Sequence, residues 1–484
     1  MLAVPVLAVT CARGDEPSSR APEKTATAEV VKQFCTSCHG FAEPSTLPRR
    51  VWVSEISKMY ATYWERAGGV AIAGEAEEVL RWFEQHAPEE VELPHPLPAS
   101  RQRSVEIVDR VISGAAPQVS FVQIAALRDG PLLDRITCDF KRGVVIQAED
   151  PESEPASVQG RVPFPARACV VDLDQDGRRD VVVASLGGPL AEDHDFGGVY
   201  WLRQLETGEF EVRIVLDRVG RVSDVKAADL DGDGDMDLAV AVFGWNRTGK
   251  VLWLEQAEDG SFGQHELDDR AGGVALQLAD MNEDGRLDVV VYMAQEHEQF
   301  MLFESRSGGD FQAHLMWDSG NPDWGSNGFE IADMDADGDL DVIAVNGDVL
   351  DNGVAKPFHG IHWLENNGLL EFRHHQLAVF PGAMVVRVAD MDGDQDLDVV
   401  SGSMLPADVL NLDHGESRDA VLFLEQRQPG QFEAFSLLQG KTDVAALDVG
   451  GVGSDGRRQI MLGHFSLDHD AAGGTARTTV IIMN

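Results

Sequence analysis

Two cysteines and a histidine lie within five residues of one another in the stretch FCTSCHGF, residues 34–41. With five Cys and 14 His among 484 residues, random ordering yields about 0.0015 copies of the spacing Cys-x-x-Cys-His. The thiols of Cys35 and Cys38 can each form a thioether with a porphyrin vinyl group, while the imidazole of His39 reaches the iron as proximal ligand. A zinc site needs a second Cys/His pair at ligand spacing, and none follows. The spacing therefore predicts one covalent haem c.

The distal ligand of this haem is predicted by counting methionines. Met59 is the only methionine between residues 2 and 235, and thioether ligation raises the reduction potential of a haem. The alternatives are His86, an open or exchangeable position, and a Met59 that only packs its helix.

The residues around the signature have helical periodicity in three stretches: TAEVVKQF, VWVSEISKMYATYW and GEAEEVLRWFEQHAP. Residues 27–88 resemble a small class I cytochrome c domain, which implies an all-α fold around the haem. Residues 89–104 are rich in proline and are predicted to form an extended linker.

Acidic loops of the pattern D-x-D-x-D-G-x-x-D recur five times in the rest of the chain, starting at Asp172, Asp229, Asp280, Asp333 and Asp390. The side chains at positions 1, 3, 5 and 9 are expected to converge on one point, and calcium is bound by about six to eight oxygens. The pattern predicts up to five calcium ions, with these ligands: Asp172, Asp174, Asp176, Asp180, Asp229, Asp231, Asp233, Asp237, Asp280, Asn282, Asp284, Asp288, Asp333, Asp335, Asp337, Asp341, Asp390, Asp392, Asp394 and Asp398.

Two departures from the pattern affect single loops. Asn282 replaces a carboxylate, so weaker calcium binding is expected there. Gln395 occupies the glycine position of the last loop, which puts its turn geometry in question. Degenerate copies near residues 126 and 448 are expected not to bind.

The loops start 57, 51, 53 and 57 residues apart, a period that fits four short strands per unit. Runs such as DVVVAS, DLAVAV and DVIAVN follow the loops and are typical of buried strands. Residues 105–484 resemble FG-GAP or VCBS-type repeats, which implies a mainly β, seven-bladed propeller after the helical domain. Trp253, Phe303 and Trp363 are then expected to pack between blades, and the C-terminal TTVIIMN to close the ring.

The charge and the N-terminus limit the partners and the location. With 39 basic and 82 acidic residues the net charge is −43, which repels nucleic acid. Residues 1–26 begin with MLAVPVLAVTC, which resembles the end of a bacterial lipoprotein signal. The expectation is an exported protein, periplasmic or on the cell surface, with Cys11 as a possible site of a lipid anchor.

Three functions remain open from the sequence, which has no GxSxG, HExxH or P-loop motif. The preferred one is electron transfer by the haem, with the calcium-stabilised propeller docking a redox partner protein or a surface ligand. The alternatives are an adhesion or scaffold module with a subordinate haem, and a haem-dependent oxidoreductase with its substrate on the propeller.

The long segments 321–330 and 346–366, with Asp323, Asn346, Asp348, Asp351 and His359, are either binding loops or solvated insertions. Cys138 and Cys169 form either a disulfide or two buried thiols.

Overall fold

The computed structural model describes residues 26–36, 39–66, 76–93, 101–110, 117–127, 133–148, 157–406, 409, 418–452, 457–466 and 478–483. Cys38 and the N-terminal segment with Cys11 lie outside the described residues, so the predictions made for them stay predictions. Within the described part of the chain, no helix is long and apolar enough to cross a membrane.

Three helices precede the strands, where the sequence predicts them: α1 (Ala28–Cys35), α2 (Arg49–Arg66) and α3 (Ala76–His86), with a 3₁₀ turn at Pro44–Thr46. Thr27 caps α1 by accepting a hydrogen bond from the Val30 amide. Trp52 is fully buried, its ring lies 4.1 Å from that of Phe83 on α3, and its indole N–H donates to the Pro44 and Leu47 carbonyls. These contacts join α2 to α3 around one small apolar core.

The rest of the described chain forms strands, in this order: β1 (Arg101–Gln102), β2 (Val105–Arg110), β3 (Val119–Ala125), β4 (Asp134–Asp139), β5 (Gly143–Ala148), β6 (Ser157–Gly160), β7 (Pro165–Val171), β8 (Asp180–Ser185), β9 (Gly197–Gln204), β10 (Phe210–Val219), β11 (Val222–Ala228), β12 (Asp237–Val242), β13 (Lys250–Gln256), β14 (Phe262–Asp268), β15 (Gly273–Ala279), β16 (Asp288–Met293), β17 (Gln299–Arg306), β18 (Asp310–Asp318), β19 (Ser326–Ala332), β20 (Asp341–Asn346), β21 (Gly360–Asn366), β22 (Phe372–Val379), β23 (Ala383–Ala389), β24 (Asp398–Ser403), β25 (Arg418–Gln428), β26 (Gln431–Gly440), β27 (Val444–Val452), β28 (Arg458–His464) and β29 (Thr478–Met483).

These strands make seven antiparallel sheets, the blades of a propeller. Blades 1 to 6 start at β3, β7, β11, β15, β19 and β23, and each runs through four consecutive strands. Blade 7 contains β27, β28 and β29, and its fourth strand is β2 from the other end of the chain. The predicted closure of the ring by the C-terminal strand is confirmed, and it ties both ends of the propeller together.

The blades bury their apolar residues against each other. The first strand of each blade contacts the first strands of its neighbours around the central axis. The second strands of blades 2 to 6 are buried at every residue, because they are covered on both faces. Trp253 of blade 3 packs with Phe303 of blade 4, and Trp363 of blade 5 packs with Leu422 of blade 6. Their predicted role between blades is confirmed.

The segment between the helices and the propeller is bound to the propeller at both of its described ends. Val91 and Leu93 are buried, and β1 adds a parallel edge to blade 6 by pairing with β26. Residues 94–100 lie outside the described residues, so the extended conformation expected for the linker stays a prediction.

The antiparallel order of strands separates two faces of the ring. The acidic loops join first strands to second strands at one end, and the loops after the second strands lie at the opposite end. The helices contact the latter end, which we call the helix-side face.

Candidate functional site

The acidic loops share a backbone conformation that turns the chain sharply between two strands. Residues at position 4 and position 6 both have positive φ, for example Ala336 (+60°) and Gly338 (+104°) in blade 5. Gln395 has φ +80° at the glycine position of blade 6, so the turn is kept in spite of its side chain. The first Asp accepts hydrogen bonds from the loop's own amides, as Asp333 does from Asp337 and Gly338.

The last Asp of each loop is buried and fastens the loop to the third strand of its blade. In blade 5 the two carboxylate oxygens of Asp341 accept from the Met334 amide (3.0 Å) and the Asn366 amide (2.8 Å). Equivalent pairs of bonds are made by Asp180, Asp237, Asp288 and Asp398. Burial raises the pKa of Asp341 to about 6, although the amides oppose the shift. This position is thus structural as well as a candidate ligand.

Positions 1, 3 and 9 bring three carboxylates together within 4.8 Å in four of the five loops. These loops belong to blades 2, 3, 5 and 6, and Asn282 replaces the middle carboxylate in blade 4. The position 5 carboxylates, Asp176, Asp233, Asp284, Asp337 and Asp394, lie outside those groups of three. Oδ1 of Asp335 in blade 5 and Oδ1 of Asp174 in blade 2 are both buried and have no hydrogen-bond partner among the described residues. A buried, unpaired carboxylate oxygen fits a cation site.

Arginine side chains distinguish two of the loops from the other three. In blade 2, Arg203 contacts Asp174 and Asp176, and Arg178 also pairs with Asp176. In blade 4, Arg286 pairs with Asp284. Blades 3, 5 and 6 have an aspartate at the position of Arg178 and Arg286, namely Asp235, Asp339 and Asp396. A cation from the chain itself therefore offsets the charge of the loops in blades 2 and 4.

The two degenerate copies of the acidic loop, near residues 126 and 448, differ from the five complete ones in their contacts. Asp448 points toward the axis, where its carboxylate accepts from the Ile124 amide (2.7 Å) and from Arg387 (3.1 Å). Residues 128–132 and 453–456 lie outside the described residues, so the expected lack of calcium there stays a prediction.

Three of the residues predicted to hold a haem face a cavity shared by the helices and the propeller. Cys35, His39 and Met59 all line this cavity, whereas His86 is not among the lining residues. Nδ1 of His39 lies 2.6 Å from the Gly40 carbonyl. Such a bond fixes the tautomer and leaves Nε2 free to bind a metal. Burial raises the pKa of the Cys35 thiol to about 12.

The shared cavity has a volume of about 1260 Å³ and reaches from the helices into the central channel. Its floor consists of ion pairs between first strands: Asp224 lies 3.1 Å from both Arg167 and Lys226, and Arg387 lies 2.7 Å from Glu330. Burial favours the neutral form of Asp224, yet the Lys226 and Arg167 cations lower its pKa overall. The floor is thus charged but internally paired.

The long segments of blade 5 hold the helices against the propeller. Thr46 donates to the Asp323 carboxylate (2.6 Å), and Lys58 donates to the Asp351 carbonyl (3.2 Å). Val354 is fully buried within the apolar core of the helices. His359 is also fully buried, and Asn346 accepts from the Gly360 amide (2.8 Å). The bonds from Thr46 and Lys58, together with Val354, form an internal junction between the helices and the propeller, a role that the irregular sequence of these segments did not specify.

The two cysteines of the propeller are free thiols. Cys138 on β4 is buried, and Cys169 on β7 is partly buried. Burial raises the pKa of both thiols, so neither has the character of a reactive cysteine.

The seven sheets define the chain as a β-propeller, and one stretch of it carries an FG-GAP-like repeat. The family model described as an FG-GAP-like repeat matches residues 172–240, from the acidic loop of blade 2 into blade 3. The crystal structure of BBS1N in complex with ARL6DN, soaked with lead, is 10% identical with a TM-score of 0.50, and covers 79% of this chain and 97% of that chain. The same complex soaked with mercury is 11% identical with a TM-score of 0.47 at the same coverage. No curated protein matches the chain. At this identity the likeness concerns the propeller fold alone.

Proposed function

We propose that the chain is an exported haem c protein that transfers electrons, with the propeller as its platform. The observation that carries this proposal is the placement of Cys35, His39 and Met59 on one cavity. Cys35 and Cys38 would attach the haem, His39 would be the proximal ligand and Met59 the distal one. When bound, this group supplies reversible one-electron chemistry with little change in ligation. The partner would be a redox protein or a surface ligand.

The chain's own residues prepare this site. The Gly40 carbonyl orients the His39 ring, and the fully buried Trp52 and Phe83 fix α2, which carries Met59. The junction with blade 5 adds Val354 to the apolar core of the helices. These contacts would limit the rearrangement of the protein around the haem when the charge of the iron changes.

We propose calcium as the ion of the acidic loops, with a structural role. The unpaired Asp335 oxygen and the three-carboxylate groups support this assignment. An affinity of about 10⁻⁴ to 10⁻³ M is typical of extracellular calcium modules and suffices outside the cell. The export signal and the anchor at Cys11 belong to the same proposal.

The visible and near-infrared spectra of haem-loaded protein test the electron-transfer proposal. Wild type is expected to cycle between ferric and ferrous forms and to show the weak Met-to-iron band, which Met59→Ala removes. His86→Ala is the matched control, because its ring stacks on Trp82 and does not line the cavity. A wild-type protein without this band that binds CO readily would contradict the assignment of Met59.

A haem-dependent oxidoreductase is the second candidate, favoured by the size of the cavity. A volume of about 1260 Å³ exceeds the roughly 300–1,000 Å³ of ordinary ligand pockets. Turnover of a substrate by the loaded protein, together with CO binding, would favour this candidate over electron transfer. Binding of a polymer by the full chain without haem would instead favour a scaffold.

A further inference from the structure

One wall of the cavity is aromatic and partly exposed. The Phe140 ring lies 5.7 Å from that of Phe164 and 5.2 Å from that of Phe465, both edge-on, and Phe243 lies 6.4 Å from Trp245. All five rings line the cavity, and we call them the aromatic rim. They come from the helix-side ends of blades 1, 2, 3 and 7, whereas the junction with the helices is on blade 5. A concave, open aromatic surface favours a large apolar ligand.

The backbone of the rim is strained at Phe164, which has φ +44°. This left-handed conformation is unfavourable for a residue with a Cβ. It is held by the Leu186 amide, which donates to the Phe164 carbonyl at 3.0 Å. Strain that the surroundings maintain is common at binding sites.

A cation lies beside the rim. The Arg221 guanidinium lies 5.4 Å from the centre of the Phe243 ring, and its Nε is buried without a hydrogen-bond partner among the described residues. Burial lowers the pKa of Arg221. Arg167 and Arg387 line the same cavity, but both are paired with carboxylates. Arg221 is therefore the arginine of this wall that is suited to receive a carboxylate from a ligand.

The helices alone form a small enclosure. Residues 27–88 are a short segment, and a segment of this size buries only part of its surface. Phe34, Cys35 and Met59 line the cavity from one side, and the aromatic rim lines it from the propeller side. A flat group attached at Cys35 would share this cavity with both sets of apolar side chains.

We propose that the aromatic rim and Arg221 form the second wall of the haem site, with Arg221 pairing with a carboxylate of the porphyrin edge. This inference rests on the proposed function. Arg221 lies on blade 3 and the attachment site lies on α1, so the haem would join the two parts of the chain. The propeller would then set the reduction potential of the haem and its access to solvent.

The test uses full-length, haem-loaded protein and two variants. Arg221→Gln is expected to shift the midpoint potential to a more negative value, because a nearby cation disfavours the ferric iron. The double variant Phe243→Leu/Trp245→Leu is expected to raise the rate of reduction by dithionite several-fold, because it opens one side of the site. Arg218→Gln and Phe196→Leu are the matched controls, since both residues are exposed and lie outside the cavity.

The outcomes separate this inference from the proposed function. Haem content is measured first, by intact mass under denaturing conditions, and folding of each variant by its melting curve. Wild type without covalent haem would overturn both proposals. If wild type carries haem, and the folded variants have the same midpoint potential and reduction rate as wild type, only the proposal of the second wall is overturned. Saturable binding of benzoate to haem-loaded wild type that is lost in Arg221→Gln would show that Arg221 binds a separate carboxylate ligand. That result would also overturn the proposal of the second wall.

Discussion

Gln395 holds a backbone conformation that ordinarily belongs to glycine. Its φ is +80°, compared with +104° for Gly338 at the same position of blade 5. The first Asp of this loop still accepts a hydrogen bond from a loop amide, that of Gly393 to Asp390 at 2.7 Å. The loop geometry is therefore imposed by the two flanking strands, at a cost to this one residue.

Replacing Gln395 by glycine is expected to stabilise the protein by about 0.5–1 kcal/mol, because relief of strain exceeds the added entropy of the unfolded chain. The reciprocal change Gly338→Gln should destabilise by a similar or larger amount. Urea denaturation of both variants at fixed calcium measures these differences. A destabilised Gln395→Gly would mean that its side chain makes a contact worth more than the strain.

Glu298 is a second strained residue, with φ +46° and a carboxyl that is 5% exposed. Its Oε2 accepts from the Ser326 amide at 3.0 Å and from the Ser326 hydroxyl. Burial raises its pKa to about 8, and the nearby Asp348 charge adds to the shift, while the bonds from Ser326 oppose it. Tyr292 also faces this carboxyl.

The raised pKa of Glu298 predicts a loss of stability as the pH rises. Below pH about 4.5 the carboxyl is protonated in both states; above it the unfolded chain ionises first, and the native state follows only near pH 8. The free energy of unfolding is thus expected to fall across this window, by an amount on the order of a few kcal/mol. Glu298→Gln should flatten the dependence, as measured by melting temperatures from pH 5 to 9. Glu296→Gln, in the same loop, is the control and should keep the wild-type dependence of melting temperature on pH. The same dependence in both variants would contradict the role of Glu298.

The acidic loops are alike in sequence but differ in the charged residues that lie next to their carboxylates. The loops of blades 3, 5 and 6 have a further aspartate where blades 2 and 4 have Arg178 and Arg286. Arg203, from the end of β9, also enters the loop of blade 2. A cation that competes for the same oxygens weakens metal binding.

Calcium titration of chelator-treated protein is therefore expected to find three strong sites rather than five. Asp335→Asn should remove one of them and lower the calcium-dependent gain in melting temperature, since a ligand at 100 times its Kd stabilises by about 2.7 kcal/mol. Asp174→Asn is the control and should leave three. Five equivalent sites would show that the arginines do not compete, and an absence of binding would contradict the calcium assignment.

The elements themselves follow from the sequence to a large extent. Valine-rich runs after each loop predict β8, β12, β16, β20 and β24, because only strands covered on both faces are so apolar. The pairing of β2 with β29 was also predictable, since a ring needs its last blade completed. The roles of Arg203 and Arg221 were not predictable, because their contacts depend on which residues meet across strands and blades. The same holds for the blade 5 segments, whose irregular sequence marked them without showing that Val354 enters the helical core.

At the scale of the whole molecule, the helices and the propeller act as one body through the blade 5 junction. Val354 contributes apolar contact, and the hydrogen bond from Thr46 to Asp323 orients the helices relative to blade 5. Because the cavity lies between these two parts, the junction also defines its shape.

Val354→Asp is expected to release the helices, since an unpaired buried charge costs several kcal/mol. Hydrogen exchange should rise across α2 while the strands of the propeller stay protected. Leu369→Asp, on an exposed turn of the same blade, should leave the exchange of α2 unchanged. Unchanged exchange in Val354→Asp would contradict the junction.

We propose that the chain carries one haem bonded to its own cysteines, Cys35 and Cys38. This is tested by the intact mass, under denaturing conditions, of protein produced with a c-type haem maturation system. Wild type is expected to gain the mass of one haem, and Cys35→Ser/Cys38→Ser is expected to gain none. A wild-type protein that matures as soluble, folded polypeptide without this added mass would contradict the claim, and the cavity would then need another occupant.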